Sequence, residues 1–156
     1  MVKAHYKPVT PEQRGRELTR ELRALEQEEP GPERAHRLAS FVRSAQEHRS
    51  LNLAMHAAEL CLADDPDGSA VLLDAYVDEQ AELEEQLRAL QDLRDLAGYL
   101  GRNGLDALAD EHLLAAARTW LVDATEVERR HRLRTLTSIL GRARVDDLRD
   151  ELDAGA

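Results

Sequence analysis

The stretch LNLAMHAAELCLADDPDG, residues 51–68, decides the fold class. Its first part, 51–63, leaves few polar positions to face water and is rich in residues that favour helices. Ser50 is suited to cap this helix at its N-terminus, and the acidic, proline-containing run 64–68 favours a turn over helix continuation. We therefore predict a helix over 51–63 that is buried at the centre of an all-α core.

Further helices are predicted on both sides of this segment from apolar spacing and capping residues. Thr10 begins the first helix in a capping box closed by Gln13, and Thr125 pairs with Glu128 in the same way. The longest helix, 70–100, has apolar residues at mixed three and four spacing, as in a short coiled coil, and would be about 45 Å long. The predicted helices are 10–29, 32–50, 51–63, 70–100, 105–123 and 125–144, with a short one over 145–152.

One domain is the expected organisation, because 156 residues are enough for one hydrophobic core and too few for two ordinary ones. Apolar residues make up 42% and charged residues 33% of the chain, which is typical of a folded, highly charged helical protein. We predict an all-α, single-domain bundle of about six helices over 10–152. A flexible N-terminal arm is expected at 1–9 and a loose tail at 153–156.

The net charge and the cysteine content limit the classes of partner and the cellular compartment that the sequence favours. A formal net charge of -10 argues against nucleic acid or an anionic membrane as a partner, because both require a positive surface. Cys61 is the single cysteine, so the chain has no intrachain disulfide. No apolar run has the length of a signal peptide or a membrane span. We predict a cytoplasmic protein with no membrane partner.

Two sets of leucines are candidates for a protein-binding surface. The first helix carries an apolar stripe only one residue wide, which suits docking on a partner better than core formation. The long helix carries a seam that would pair with a second subunit and make the protein a homo-oligomer. Ordinary packing within the chain is the alternative for both sets. The candidate interface residues are Leu18, Leu22 and Leu25 in the first helix, and Leu83, Leu87, Leu90 and Leu93 in the long helix.

Charge is distributed unevenly along the chain. Residues 64–95 are strongly acidic, whereas Arg129, Arg130, Arg132 and Arg134 form a basic electrostatic patch in the sixth predicted helix. No phenylalanine, tyrosine or tryptophan interleaves these arginines, so a base-stacking platform for nucleic acid is absent. We expect the acidic and basic helices to lie against each other, within one subunit or between two.

A metal site is the alternative from another functional class. Glu128 and His131 stand three residues apart on one predicted helix, the spacing that di-iron and di-manganese bundles use. A complete site in one chain needs two such pairs, and this chain has one, in an arginine-rich neighbourhood that repels cations. The site would therefore have to be completed by oligomerisation.

Catalytic motifs are missing from the sequence. Cys61 lies in an apolar helix, where burial raises a thiol pKa and lowers its reactivity. The serines lie in no nucleophile-elbow context, and no glycine-rich phosphate loop is followed by Gly-Lys-Ser or Gly-Lys-Thr. We predict no catalytic residue and no cofactor.

A helical hairpin is predicted over 33–66, and its part from residue 35 onward resembles one tetratricopeptide unit. Leu38, Ala54 and Pro66 occupy the apolar, small and proline positions of that repeat. Val42 replaces a small residue, and no second copy appears about 34 residues later. Because a solenoid needs about three stacked repeats, the resemblance implies shared packing of one hairpin and not membership of the family.

The sequence as a whole favours a protein that binds other proteins. A partner protein or a second copy of the chain would be held through helical surfaces, without chemistry. We therefore predict a non-catalytic helical interaction module, such as an adaptor, a small chaperone or a regulator. The oligomeric metal-binding bundle is the alternative.

Overall fold

The computed structural model of the chain describes residues 8–78 and 80–155. All regular secondary structure in that part is helical, with no strand. The all-α prediction is therefore confirmed. No helix in this part is long and apolar enough to cross a membrane. Its eight helices are α1 (Pro11–Gln27), α2 (Pro32–Glu47), α3 (Leu51–Asp64), α4 (Gly68–Tyr76), α5 (Leu83–Leu100), α6 (Asn103–Val122), α7 (Glu126–Leu140) and α8 (Arg142–Ala154).

The helices are grouped in two compact units, Met1–Ala75 and Tyr76–Ala156, which we call the N-terminal and C-terminal units. The single domain expected over 10–152 stays a prediction. Most of the expected arm at 1–9 lies outside the described residues. Helix α8 extends to Ala154, so the first two residues of the expected tail are helical.

Local capping signals set several helix ends as predicted. The Thr10 side chain accepts a hydrogen bond from the Gln13 amide, and the Gln13 side chain accepts one from the Thr10 amide. Thr125 and Glu128 form the same reciprocal box at the start of α7. Each box satisfies amides that lack a partner in the first helical turn.

The long helix predicted over 70–100 is wrong. Helix α4 ends at Tyr76 and α5 begins at Leu83. Between them, the Asp78 carboxylate accepts a hydrogen bond from the Gln80 amide at 2.9 Å, and the Asp78 carbonyl accepts one from the Ala81 amide at 3.1 Å. These hydrogen bonds take the place of helical backbone hydrogen bonds. Aspartate side chains commonly bond to nearby backbone amides in turns in this way.

A second difference lies near the C-terminus. The helix predicted over 125–144 ends at Leu140, because Gly141 has φ 89°, a left-handed conformation that glycine adopts without steric cost. Helix α8 then replaces the short helix expected over 145–152. Six main helices and one short one were predicted, and the division of the long helix makes eight in the described residues.

Helices α2 and α3 form the predicted hairpin and the centre of the N-terminal unit. Helix α3 is buried along one face only, because small side chains let it approach α2 closely while its larger leucines stay partly exposed. This differs from the expected all-round burial. The buried apolar residues are Ala35, Leu38, Ala39, Phe41, Val42 and Ala45 in α2, and Ala54, Ala57, Ala58 and Cys61 in α3.

Close packing also explains the glycine at the start of α4. A Cβ atom on Gly68 would lie 2.8 Å from the Leu62 Cα atom and 3.0 Å from the Cys61 carbonyl oxygen. We expect Gly68→Ala to lower the free energy of unfolding by about 1–3 kcal/mol, the usual cost of overpacking. Urea unfolding followed by far-ultraviolet circular dichroism measures the change.

Gly98→Ala is the matched control for that substitution. Gly98 lies inside α5, and a Cβ atom there would meet nothing within 4 Å. Alanine favours a helix over glycine by about 1 kcal/mol, so this variant should be as stable as the wild type or more stable. Equal stability of the two variants would contradict the close approach at Gly68.

The C-terminal unit is held by α5 packed on α6 and by a polar cluster. Arg144 donates two hydrogen bonds to the Asp110 carboxylate, and Arg94 lies 3.5 Å from the same carboxylate. Arg94 also donates to the Ile139 carbonyl at 3.1 Å. The Arg144 hydrogen bonds hold the pKa of Asp110 below its usual value. The cluster thereby links all four helices of this unit.

Candidate functional site

A positively charged groove lies in the N-terminal unit, beside α1 and the turn between α2 and α3. Its volume is about 750 Å³. Arg16, Arg20 and Arg23 come from α1, and Arg49 comes from the turn. All four arginines are exposed. We call this feature the basic groove.

The spacing of the arginines on α1 places them along one face of that helix. Positions 16, 20 and 23 are related by i, i+4 and i+7, so the guanidinium groups follow one stripe about 10 Å long. Leu18 and Leu22 are buried and hold α1 against the rest of the unit. The arginine stripe is therefore turned toward solvent by the packing of the leucine stripe.

The arginines of the basic groove have no ion pair or side-chain hydrogen bond among the described residues. Other arginines of this unit are neutralised by nearby carboxylates: Arg34 by Asp64 and Arg37 by Glu28. The groove thus concentrates unneutralised positive charge on a molecule whose formal net charge is -10. Such a surface attracts anionic groups.

The opposite wall of the groove is the N-terminus of α3, with Ser50, Leu51, Asn52 and Leu53. The Ser50 side chain makes no capping hydrogen bond. The first-turn amides of α3 therefore add partial positive charge to this wall. Glu12 lines the groove one turn before Arg16 and supplies an acidic group there.

The predicted interface leucines are mostly buried. Leu18 and Leu22 are 0% and 3% exposed, and the C-terminal seam is buried equally, with Leu87, Leu90 and Leu93 at 0%. Burial favours the alternative kept open by the sequence, ordinary packing within the chain. The remaining two, Leu25 and Leu83, are partly exposed.

The four arginines of the predicted electrostatic patch lie in different environments. Arg132 donates to the Trp120 carbonyl at 2.5 Å, and its guanidinium lies 5.3 Å from the centre of the Trp120 ring. Arg130 pairs with Glu126 at 3.1 Å. Arg129 has a buried Nε atom with no hydrogen-bond partner among the described residues, whereas Arg134 is exposed. Part of this positive charge is therefore used inside the unit.

The residues of the metal alternative line a cleft of about 460 Å³ together with Glu82 and Glu84. The Glu128 carboxylate accepts a hydrogen bond from the Thr125 amide at 3.1 Å and lies 3.8 Å from Arg132. His131 is exposed. No group of three or more potential ligands in the described chain is arranged to hold a metal ion. A metal site completed by oligomerisation stays a prediction.

Cys61 is buried, and its thiol donates to the Ala35 carbonyl with a sulfur–oxygen distance of 3.3 Å. Burial raises the pKa of this thiol to about 11, with a further contribution from the nearby acids Asp64 and Asp65. The thiolate is thus scarce at neutral pH, which suits a packing role.

The basic groove was missed by the sequence interpretation, although part of its signal was present. The i, i+4, i+7 spacing of Arg16, Arg20 and Arg23 is visible in the sequence, but the leucines of the same helix favoured the prediction of an apolar binding surface. The position of Arg49 in the groove could not be predicted from the sequence, because only the α2–α3 turn brings this residue to α1. Its φ of 58° is a left-handed backbone conformation that residues other than glycine rarely adopt.

Comparison with known proteins assigns this chain to no family. No protein-family model, curated protein or solved structure matches it. Its function is therefore inferred from the charges, contacts and geometry of the described residues.

Proposed function

We propose that this chain is a non-catalytic helical protein–protein interaction module and that the basic groove is its binding surface. The observation that carries the proposal is a set of four exposed arginines on one groove that have no partner among the described residues. Guanidinium groups bind carboxylates well and stay charged at all physiological pH values, so they suit binding more than proton transfer. An adaptor, a small chaperone or a regulator would use such a surface.

A protein carboxylate suits the groove better than nucleic acid does. No aromatic residue among the described residues lines the groove, so nucleotide bases would find no stacking platform there. The formal net charge of -10 also repels a phosphate polymer at a distance. A helix with acidic side chains on one face matches the length of the arginine stripe and presents isolated carboxylates.

A synthetic peptide tests this proposal. The probe is a fluorescein-labelled helical peptide with glutamates at i, i+4 and i+7, and its control has glutamine at those positions. Arg16→Gln with Arg20→Gln and Arg23→Gln should weaken binding of the glutamate peptide by roughly 10-fold to 100-fold, from three exposed pairs of up to about 1 kcal/mol each. Fluorescence anisotropy titrations measure the dissociation constants.

The control protein carries Arg134→Gln with Arg142→Gln. Both arginines are exposed and lie in the C-terminal unit, outside the groove. This variant removes two positive charges, against three in the groove variant, and should bind the peptide nearly as the wild type does. Wild-type affinity in the groove variant, or equal binding of both peptides, would overturn the proposal.

A further inference from the structure

Glu12 gives the basic groove a negative end. It lines the groove one turn before Arg16, about 6 Å along the axis of α1, and its side chain is exposed. Among the described residues, Glu12 has no ion pair and no bond from its carboxylate. The charge order on this face of α1 is therefore negative, positive, positive, positive, from Glu12 through Arg16 and Arg20 to Arg23.

The surface of α1 among these charges is open to a partner. A Cβ atom on Gly15 would meet nothing within 4 Å, and Thr19, another small residue of α1, also lines the groove. The Thr19 hydroxyl donates to the Gly15 carbonyl at 2.8 Å, so it needs no acceptor from outside. A second backbone can therefore approach α1 closely here, and the surrounding charged side chains select which helix binds.

A partner helix that carried only acidic residues would leave Glu12 beside another carboxylate or without a partner. The complementary helix has a basic residue one turn away from its acidic residues. Its direction follows from the helix dipole, because a partner parallel to α1 brings its positive N-terminal end to Glu12 and its negative C-terminal end to Arg20 and Arg23. The charge order of the groove thus specifies both the composition and the direction of the bound helix.

We infer that the basic groove binds a helix of a partner protein that runs parallel to α1 and carries a lysine or arginine one turn before its acidic residues. This inference rests on the proposed function and narrows its partner. Glu12 determines the specificity, because it attracts the basic residue and repels a carboxylate at the same position. A first-turn glutamate also stabilises its own helix, but that effect does not depend on which peptide binds.

Two fluorescein-labelled helical peptides test the inference. Both have glutamates at i, i+4 and i+7; the lysine peptide has lysine at i−4, and the glutamate-extended peptide has glutamate there. The wild type should bind the lysine peptide roughly 3-fold to 10-fold more tightly, because attraction to one exposed carboxylate replaces repulsion. Glu12→Gln should bring the two dissociation constants to within about 2-fold of each other, and Glu12→Lys should reverse the preference. Fluorescence anisotropy measures the constants, and high salt should reduce the preference.

A third peptide and a control variant exclude net charge as the cause of the preference. The reversed peptide has the composition of the lysine peptide with the charge order inverted, and the wild type should bind it more weakly. Glu21→Gln removes an exposed carboxylate of α1 that does not line the groove, so this variant should keep the wild-type preference. Circular dichroism should show largely unchanged helicity in the Glu12 variants, because this side chain is exposed.

The affinities separate this inference from the proposed function. A preference that survives Glu12→Gln, or that is lost in Glu21→Gln, would overturn Glu12 as the residue that determines specificity. Equal affinity for the lysine peptide and the reversed peptide would overturn the parallel direction. If the lysine and glutamate-extended peptides bind equally and Arg16→Gln with Arg20→Gln and Arg23→Gln weakens both, this inference fails and the proposed function stands. Failure of the wild type to bind any of the peptides would overturn both.

Discussion

Arg34→Ala is expected to lower the free energy of unfolding of the N-terminal unit by about 3–5 kcal/mol. Arg34 donates through Nε and Nη2 to the Asp64 carboxylate at 2.5 and 2.7 Å, and through Nη1 to the Glu28 carbonyl at 3.2 Å. The two paired side chains are only 7% and 3% exposed. Removing the guanidinium would leave a buried carboxylate without its partner and would remove one of the contacts between the end of α1 and α2.

Urea unfolding at neutral pH measures this loss, and Arg37→Ala is its control. Arg37 lies one turn further along α2 and pairs with Glu28, but the two side chains are 51% and 39% exposed. An exposed pair contributes at most about 1 kcal/mol. Losses of similar size in the two variants would show that burial does not set the contribution of Arg34.

The effect of Arg34→Ala should shrink in acid. Hydrogen bonding to Arg34 lowers the pKa of Asp64 in the folded chain, although burial opposes this shift. A carboxylate with a lowered folded pKa stabilises the protein above its unfolded pKa, near 3.9, and that stabilisation is lost as pH falls through the folded value. The difference between wild type and variant should therefore be smaller at about pH 3 than at neutral pH.

Local signals in the sequence were sufficient for much of the fold. The capping boxes at Thr10 and Thr125 use residues three positions apart, and Gly101 adopts the left-handed conformation that ends α5. Each of these depends on neighbours along the chain. The division of the predicted long helix was harder to foresee, because the turn at Asp78 contains no glycine or proline.

Features that depend on residues far apart in the sequence could not be predicted from it. Arg34 and Asp64 are separated by 30 positions, and nothing in either segment distinguishes them from surface charges. The same is true of Arg49, which reaches the basic groove only after α2 and α3 have packed. Apolar periodicity identified which leucines share a face, but it did not show whether that face meets the chain itself or a partner.

The leucine seam of α5 gives the largest expected effect. Leu87→Glu with Leu90→Glu should unfold the C-terminal unit, because both leucines are 0% exposed and the new carboxylates would be buried without partners. Removing either side chain to alanine alone typically costs about 2–5 kcal/mol. Circular dichroism should show a large loss of helicity, and light scattering on the same sample reports the mass.

Leu83→Glu is the control for this double substitution. Leu83 begins α5 and is partly exposed, and a carboxylate in the first turn of a helix is favourable. This variant should keep its helicity. If the double variant also kept its helicity and its mass fell to that of a monomer, Leu87 and Leu90 would form an interface between copies. Loss of helicity would instead assign them to the core of the C-terminal unit.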